Sequence, residues 1–138
     1  MKPLKIHTQT GICEIVADES VKNLKNQLRD ERYVIITDKN VRRFYSDLFS
    51  GNPIIEIGLG EKIKTLRTVE KIYQKFLEFK MDRSSFVIGI GGGVVCDIAG
   101  FSASTYMRGL RFGLVPSTLL VQADASIGGK NGVNLTED

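Results

Sequence analysis

Three consecutive glycines form the part of the sequence best suited to chemistry. Gly91, Gly92 and Gly93 follow the apolar run 86–90 (FVIGI) and precede a second, largely apolar segment. Glycines at a strand-to-helix turn permit positive φ angles and leave no Cβ between backbone amides and a ligand, while a helix N-terminus offers unpaired N–H groups. A pyrophosphate fits such a place, although a tight turn without a ligand explains the same residues.

Two common phosphate-binding motifs do not match this region. In the G-x-G-x-x-G fingerprint, counted from Gly89, the third glycine position is Val94. A P-loop is excluded because Asn131, and not Ser or Thr, follows Gly129 and Lys130. The glycine run alone therefore leaves both interpretations open.

Four charged residues could act with the glycines. Asp97 lies one turn into an apolar segment, where an unpaired carboxylate is costly, so it needs a partner or a ligand. Glu61 and Lys64 are three residues apart, which is also typical of a surface ion pair on a helix. Asp38 follows a β-branched run and could cap the next helix or contact a ribose or adenine.

The elements that must position these residues alternate along the chain. Strands are predicted at 4–8, 12–17, 33–37, 53–57 and 86–90, and helices at 19–28, 41–48 and 62–79. This order predicts an α/β fold: a single domain, residues 1–138, with a Rossmann-like, mostly parallel sheet and flanking helices. Ligands of such sheets gather at the carboxyl ends of the strands. We therefore expect Asp38, Glu61, Lys64 and the triple glycine to converge on one crevice.

The longest helical pattern has a clear apolar stripe. It is predicted to bury one face and to expose the charged residues between. Its apolar positions are Ile63, Leu66, Val69, Tyr73, Phe76 and Leu77.

Composition predicts a soluble globular protein and excludes several other classes. Of 138 residues, 42% are hydrophobic and 25% charged, and no apolar run reaches the length of a membrane span. The N-terminus lacks the apolar core of a secretory signal, so a cytoplasmic location is expected. A net charge of +3, from scattered basic residues, is too mild and too dispersed to predict nucleic-acid binding.

The sequence lacks the residues that metal sites and disulfide frameworks usually need. Cys13 and Cys96 have no framework spacing and are expected to be reduced thiols. His7 is the only histidine and is interpreted as a strand residue far from the glycines. A catalytic zinc site needs about three protein ligands, which this chain does not supply in the usual combination.

Two longer stretches carry a family resemblance. Residues 91–109 (GGGVVCDIAGFSASTYMRG) and 115–134 (VPSTLLVQADASIGGKNGVN) resemble the signature block of the 3-dehydroquinate synthases, a family of sugar-phosphate cyclases. Both halves occur in the right order and at the right separation. The resemblance covers essentially the whole chain, which corresponds to the N-terminal, NAD-binding part of that family.

The resemblance implies a set of NAD contacts. In the family, the motifs TD-x-N, GE-x-x-K and GGG-x-x-x-D bind NAD together, and the hydroxyls of P-[TS]-T contact it; all four stand in this sequence. The backbone of the triple glycine would hold the pyrophosphate. The residues to which the resemblance assigns cofactor contacts are Asp38, Glu61, Lys64, Gly91, Gly92, Gly93, Asp97, Ser117, Thr118 and Asp124.

The resemblance also implies three contacts to a small sugar-phosphate substrate. Arg108 would bind the phosphate, commonly in the site of a neighbouring subunit, so a homodimer is expected. Lys130 would be a second phosphate ligand, and Asp124 would contact substrate hydroxyls beside the nicotinamide. From the residues alone, each is also explained as a solvated charge, and for Arg108 that explanation is favoured.

The activity follows from the same resemblance. The full-length enzyme would convert 3-deoxy-D-arabino-heptulosonate 7-phosphate to 3-dehydroquinate and phosphate, in the shikimate pathway to aromatic amino acids. A divalent zinc or cobalt ion would be held by one Glu and two His of a helical C-terminal domain. Because the chain corresponds to the N-terminal part only, it is expected to be a fragment without turnover of its own.

Some positions depart from the family pattern and leave alternatives. Cys96 stands where glycine is common, Ala123 and Ala125 flank Asp124 where Val and Ser are typical, and Asn131 replaces the Thr of GGKT. One alternative is another sugar-phosphate cyclase or a metal-dependent dehydrogenase of the glycerol dehydrogenase type; the YMRG and GGK motifs favour a phosphate-bearing substrate over the dehydrogenase. The other is a non-catalytic nucleotide-binding module.

Overall fold

The computed structural model describes residues 3–9, 11–17, 19–28, 31–49, 51–127 and 129–136. Gly128, the first glycine of the GGK motif, lies outside the described residues.

The chain begins with a β-hairpin. Strands β1 (Leu4–Thr8) and β2 (Gly11–Ile15) pair antiparallel as a separate two-stranded sheet. The two strands predicted for this part of the sequence are confirmed, and the second ends at Ile15 and not at 17.

Four parallel strands form the main sheet. They are β3 (Tyr33–Asp38), β4 (Ile54–Ile57), β5 (Phe86–Gly91) and β6 (Arg111–Pro116), in the order β4-β3-β5-β6. The β-branched run of β3 is buried on both faces, since Val34, Ile35 and Ile36 are each no more than 2% exposed. The predicted α/β fold with a parallel sheet is confirmed.

The helices cover the two faces of this sheet. They are α1 (Leu24–Gln27), α2 (Lys39–Phe44), α3 (Leu66–Glu78), α4 (Gly93–Thr105) and α5 (Leu119–Ala123). One core cluster joins α3 and α4 to one face, through residues such as Ile72, Phe76 and Ile98. The second cluster joins the other face to residues before and after β3, including Leu28 and Val41.

Three predicted helices have different bounds. The helix predicted at 41–48 is the shorter α2, Lys39–Phe44, followed by a 3-10 turn, Ser46–Phe49. The segment predicted as a helix at 19–28 forms a 3-10 turn, Val21–Asn23, followed by the four-residue α1. The long helix begins at Leu66 and not at 62, because Thr65 is extended (φ −131°, ψ 160°) and its hydroxyl caps the Thr68 N–H at 3.3 Å. Residues Glu61–Ile63 form a separate 3-10 turn.

The apolar stripe of α3 is narrower than predicted. Val69, Ile72 and Phe76 are buried, whereas Leu66 and Leu77 are 47% and 67% exposed. At 3.6 residues per turn, Leu66 and Leu77 lie at the edge of the arc that Val69, Ile72 and Phe76 bury.

The strand order creates a switch point. From β3 the chain passes to β4 on one side of the sheet and then crosses to β5 on the other side. The carboxyl ends of β3 and β5 therefore flank a gap between oppositely directed connections, where ligands of open α/β sheets bind.

Candidate functional site

A cleft of about 180 Å³ lies at this switch point. It is lined by Asp38 at the end of β3, residues 58–60 after β4, and residues 92–95 at the start of α4. The predicted convergence is therefore observed for Asp38 and the glycine turn, whereas Glu61 and Lys64 do not line the cleft.

The glycine turn does not use positive φ angles, contrary to expectation. Gly91 ends β5, and Gly92, at φ −78° and ψ −171°, has an extended conformation open to any residue. The described glycines with positive φ lie elsewhere, for example Gly60 and Gly109. Backbone conformation therefore does not explain the triple glycine.

Close packing explains Gly91. A Cβ built there would lie 2.6 Å from both Cβ and Cγ2 of Val95 in the first turn of α4, closer than real Cβ contacts. The strand and the helix approach each other this closely only because position 91 has no side chain.

Packing does not explain Gly92 and Gly93 in the same way. A Cβ at either residue would meet only one methyl group at 3.6 Å, from Thr118 and Val121 respectively, which is ordinary contact. Both residues line the cleft. Bare glycines here keep the backbone amides accessible from the cleft.

The N-terminus of α4 carries the electrostatic part of the site. Gly92 is its N-cap and offers no side-chain cap, so the first N–H groups of a 13-residue helix lack that partner. These groups and the positive end of the helix dipole favour an anion at the cleft.

Lys64 and Asp97 form the tightest ion pair beside the cleft. Lys64 Nζ lies 2.6 Å from Asp97 Oδ2, and both side chains are about one-fifth exposed, at 20% and 21%. The hydrogen bond to Asp97 is the largest cause of a raised pKa of Lys64; partial burial opposes it, and the charges of Asp97 and Glu61 reinforce it. Asp97 thus has the partner that its apolar segment requires.

Glu61 is more loosely held. Its Oε1 lies 3.6 Å from Lys64 Nζ, and its side chain is 63% exposed. The predicted Glu61–Lys64 pair exists, but it joins a 3-10 turn to the residue that follows it and does not lie on α3.

Asp38 acts as a helix cap. Its Oδ1 accepts hydrogen bonds from the N–H groups of Asn40 (2.8 Å) and Val41 (2.9 Å) at the start of α2. The neighbouring Thr37 hydroxyl is buried and donates to the Ile90 carbonyl at 2.8 Å, which ties β3 to β5 just below the cleft. The cap interpretation of Asp38 is confirmed, and a ligand contact stays a prediction.

Ser117 and Thr118 are brought to the edge of the cleft. The Ser117 N–H donates to the Gly91 carbonyl at 2.9 Å, so the turn after β6 lies against the glycine turn. Both residues are exposed.

Asp124 and Lys130 are exposed beyond α5. Within the described residues, neither side chain has an ion pair with the Lys64–Asp97 pair. Their substrate contacts stay predictions.

Arg108 lies near the amino end of β6, whereas the cleft lies at the carboxyl ends of the strands. It follows the C-terminus of α4, about 20 Å along the helix from the cleft at 1.5 Å per residue, and precedes β6. Met107, Arg108 and Gly109 have φ angles of 48°, 71° and 104°, a left-handed turn that Gly109 accommodates readily. The chain does not bring Arg108 together with its own cleft.

The sequence did not indicate the role of residues 131–134. The Asn134 N–H donates to the Lys64 carbonyl at 2.7 Å, and Asn131 packs on Gly100 of α4. A glycine inside a buried helix signals a close neighbour. No sequence pattern says which segment that neighbour is.

Cys96 is not a nucleophile. It is buried, and desolvation, followed by the charge of Asp97, raises its pKa to about 12. The thiol is thus neutral near pH 7, and its Sγ lies 3.7 Å from the Gly91 carbonyl.

No metal cluster and no membrane-spanning helix occur in the described part of the chain. No three His, Cys, Asp or Glu residues among those described are grouped so that they could hold a metal ion. Nor is any helix of the same residues long and apolar enough to cross a bilayer.

Family and sequence comparisons identify what this chain is similar to. Residues 54–138 match the family model of the 3-dehydroquinate synthase N-terminal region. A 3-dehydroquinate synthase from Clostridium kluyveri is 41% identical over 142 aligned residues, covering 97% of this chain and 38% of the relative.

Solved structures share the fold. A 2-deoxy-scyllo-inosose synthase in complex with carbaglucose-6-phosphate, NAD⁺ and Co²⁺ matches 98% of this chain and 41% of its own, with a TM-score of 0.80 and 22% identity. A 2-epi-5-epi-valiolone synthase from Streptomyces hygroscopicus with NAD⁺ and Zn²⁺ bound matches 79% and 33% of the two chains, with a TM-score of 0.69 and 28% identity.

The family model and the Clostridium relative favour the 3-dehydroquinate synthase family over the dehydrogenase and the non-catalytic module. The chain spans well under half the length of the relatives it matches. On the family match and the sequence identity, the chain belongs to the 3-dehydroquinate synthase family and corresponds to its N-terminal part.

Proposed function

We propose that this chain binds NAD in the cleft at the switch point, as the N-terminal part of a 3-dehydroquinate synthase. One observation carries the proposal: the uncapped N-terminus of α4 faces a cleft at Gly92 and Gly93, where a Cβ would fit the protein but occupy the space beside the amides. A dinucleotide pyrophosphate is the anion that suits such a helix end.

The proposed contacts follow from position. The backbone of residues 91–93 holds the pyrophosphate. Asp38, Glu61, Lys64 and Asp97 surround other parts of NAD at the ends of β3, β4 and β5, while Ser117, Thr118 and Asp124 contribute from the segment after β6. These are the same NAD contacts that the family resemblance implies.

The cleft of this chain forms only part of the proposed site. Its volume, about 180 Å³, is below the roughly 300–1,000 Å³ typical of small-molecule sites. The chain spans 38% of the Clostridium relative, and we propose that the remainder of the full-length protein closes the site.

For the whole protein we propose conversion of 3-deoxy-D-arabino-heptulosonate 7-phosphate to 3-dehydroquinate with release of phosphate. Bound NAD supplies transient oxidation of a ring hydroxyl, which acidifies the neighbouring C–H and is reversed after phosphate has left. This chain's residues bind and orient the nucleotide; Lys64 remains a cation at neutral pH and balances Asp97.

The substrate phosphate is proposed to meet Lys130 of one subunit and Arg108 of a neighbouring subunit. Arg108 lies at the amino ends of the strands, away from the cleft of its own chain. Its position therefore suits a contribution to the site of a homodimer partner. An Arg guanidinium can bind a phosphate through two parallel hydrogen bonds. We propose a cytoplasmic homodimer, in the shikimate pathway.

A divalent zinc or cobalt ion is proposed for the full-length enzyme only. The described residues of this chain offer no matching ligand group, and no step is assigned to a metal here. Without that ion and the rest of the site, the isolated chain is expected to show no turnover.

The test is calorimetric titration of NAD into this chain and into Gly92→Val. The valine Cβ has room at 3.6 Å from Thr118 and an allowed backbone conformation, so the variant should fold with a similar melting temperature. We expect the parent to bind NAD and the variant to lose binding. A folded parent that binds no NAD, or a variant that binds as tightly as the parent, would contradict the proposal.

A further inference from the structure

Residues 131–134, here called the strap, dock between the start of α3 and the middle of α4. At one end Asn131 packs on Gly100: a Cβ built on that glycine would lie 3.0 Å from both Cβ and Nδ2 of Asn131. Val133 is partly buried against the core between the two ends. The strap is therefore seated on α4 by side-chain packing.

At its other end the strap contacts the main chain of residues 64–65, beside the proposed NAD site. Asn134 forms a parallel β-bridge with Thr65, and its N–H donates to the Lys64 carbonyl at 2.7 Å. Its side-chain Nδ2 donates to Glu61 Oε1 at 3.4 Å, the oxygen that also lies 3.6 Å from Lys64 Nζ. One residue thus contacts the backbone of Lys64 and the carboxylate of Glu61.

Lys64 needs such a support. It follows the 3-10 turn Glu61–Ile63 and precedes the extended Thr65, so it belongs to neither helix. Its long side chain nevertheless keeps a 2.6 Å contact with Asp97. A flexible lysine holds one geometry at lower entropic cost when its main chain is fixed.

We propose that Asn134 is a positioning residue of the nucleotide site, and that the strap fixes the Glu61–Lys64 pair in the geometry in which it meets NAD. The inference rests on the proposed NAD site and adds a residue to it that makes no contact with the cofactor. Since Lys130 directly precedes the strap, the proposed phosphate ligand and the nucleotide ligands share one support.

Two variants displace the strap without altering a proposed ligand. Asn134→Asp places a carboxylate against that of Glu61, and like charges at this separation repel. Gly100→Ala pushes Asn131 outward, while alanine favours the helix more than glycine does, so α4 should be retained. We expect each change to raise the NAD dissociation constant about tenfold, the equivalent of one hydrogen bond to a charged group.

A rescue and a matched control separate positioning from general damage. Asn131→Gly removes the side chain that Gly100→Ala displaces, while Val133 and the Asn134 N–H still hold the strap, so the double variant should recover most of the NAD affinity. Asn23→Asp repeats the asparagine-to-aspartate change beside another glutamate, since Asn23 Nδ2 donates to Glu19 on an exposed 3-10 turn. It should leave NAD binding unchanged.

Hydrogen exchange gives a direct reading of the strap. NAD should slow exchange of the Asn134 amide in the parent, because that N–H donates to the Lys64 carbonyl. A purely structural strap would be slowed by NAD no more than sheet amides far from the cleft, because binding stabilises the whole fold.

The outcomes distinguish this inference from the proposed function. A parent that binds no NAD contradicts the proposed site and the inference with it. A parent that binds NAD, with Asn134→Asp and Gly100→Ala both within twofold of it and Asn134 exchange slowed no more than that of the distant sheet amides, overturns the inference alone. Weaker binding in both variants, with rescue in the double variant, supports it.

Discussion

The end of β5 and the start of α4 both contain glycines, but the lack of a side chain serves a different purpose in each region. Gly89 and Gly91 face α4: a Cβ at Gly89 would lie 2.7 Å from the Ala99 Cβ, and one at Gly91 would lie 2.6 Å from Val95. Gly92 and Gly93 have room for a Cβ and face the cleft. The first pair brings strand and helix together, and the second leaves space for a ligand.

The difference shows what a glycine run encodes. Buried glycines on a strand allow a helix to pack closely, which is a requirement of the fold. Glycines that the protein could replace without a clash point to a molecule outside the protein. Stability measurements should therefore separate Gly91 from Gly92, although the two residues are adjacent.

The largest expected effect is that of Gly91→Ala on stability. The added methyl overlaps Val95 in a packed first turn, so strand and helix must separate; overpacking of this kind costs about 3 kcal/mol. Urea unfolding should show a lower midpoint with an unchanged m-value. A loss below 1 kcal/mol would mean that α4 shifts freely and that the packing role of Gly91 is wrong.

Removal of the lysine from the Lys64–Asp97 pair should cost less. Lys64→Met leaves a carboxylate that is only 21% exposed without its 2.6 Å partner, which we expect to lower the unfolding free energy by about 1–2 kcal/mol at pH 8. The matched variant Lys75→Met breaks the exposed Lys75–Glu78 pair and should change stability by no more than about 0.5 kcal/mol.

The same pair predicts a dependence on pH. Because the folded pKa of Lys64 is raised, its stabilisation is fully present below the ordinary lysine value of about 10.4 and is lost as pH rises through the folded pKa. The difference in unfolding free energy between the parent and Lys64→Met should be constant from pH 8 to 10 and shrink at higher pH. A difference that grows above pH 10 would contradict the assignment.

Asp38, on the β3 side of the cleft, tests whether one residue serves both the stability of the fold and ligand binding. Asp38→Ala removes both capping bonds of α2 and should cost about 1 kcal/mol, while Asp38→Asn keeps a capping oxygen and should cost only a few tenths. If Asp38 also contacts NAD, Asp38→Asn should weaken NAD binding without that loss of stability. Equal stability of the two variants in urea unfolding would exclude the cap as the main role.

The sequence predicts the sheet better than it predicts the site. β3 is a short β-branched run, so its position follows from residue type, and it was predicted to within one residue; β6 (Arg111–Pro116) has a single β-branched residue and was not predicted. The strand ends then place Asp38 and the glycine turn at one cleft. Periodicity could not show that the long helix begins only after Thr65. The Thr65 hydroxyl caps the helix N-terminus there, although the apolar pattern continues before it.

Contacts between distant segments were beyond sequence reasoning. Lys64 and Asp97 were identified separately, but nothing in their spacing shows that they form a pair. Likewise, Asn134 reaches Lys64 across 70 positions only because α4 and α3 pack side by side. Such contacts depend on the folded arrangement of three elements, whereas motifs report on one element at a time.

The smallest expected effect on stability is that of Gly92→Ala, and it is the sharpest test of the comparison. Alanine is a poorer N-cap than glycine, but it also restricts the unfolded chain, and the two effects nearly cancel. With a Cβ at 3.6 Å from Thr118 and an extended backbone, we expect the unfolding free energy to change by less than about 0.5 kcal/mol. NAD affinity measured on the same sample should fall at least tenfold, because the methyl group occupies space beside the helix N-terminus. A variant that loses stability like Gly91→Ala would assign both glycines to packing, and one that keeps both stability and NAD binding would place the pyrophosphate elsewhere in the cleft.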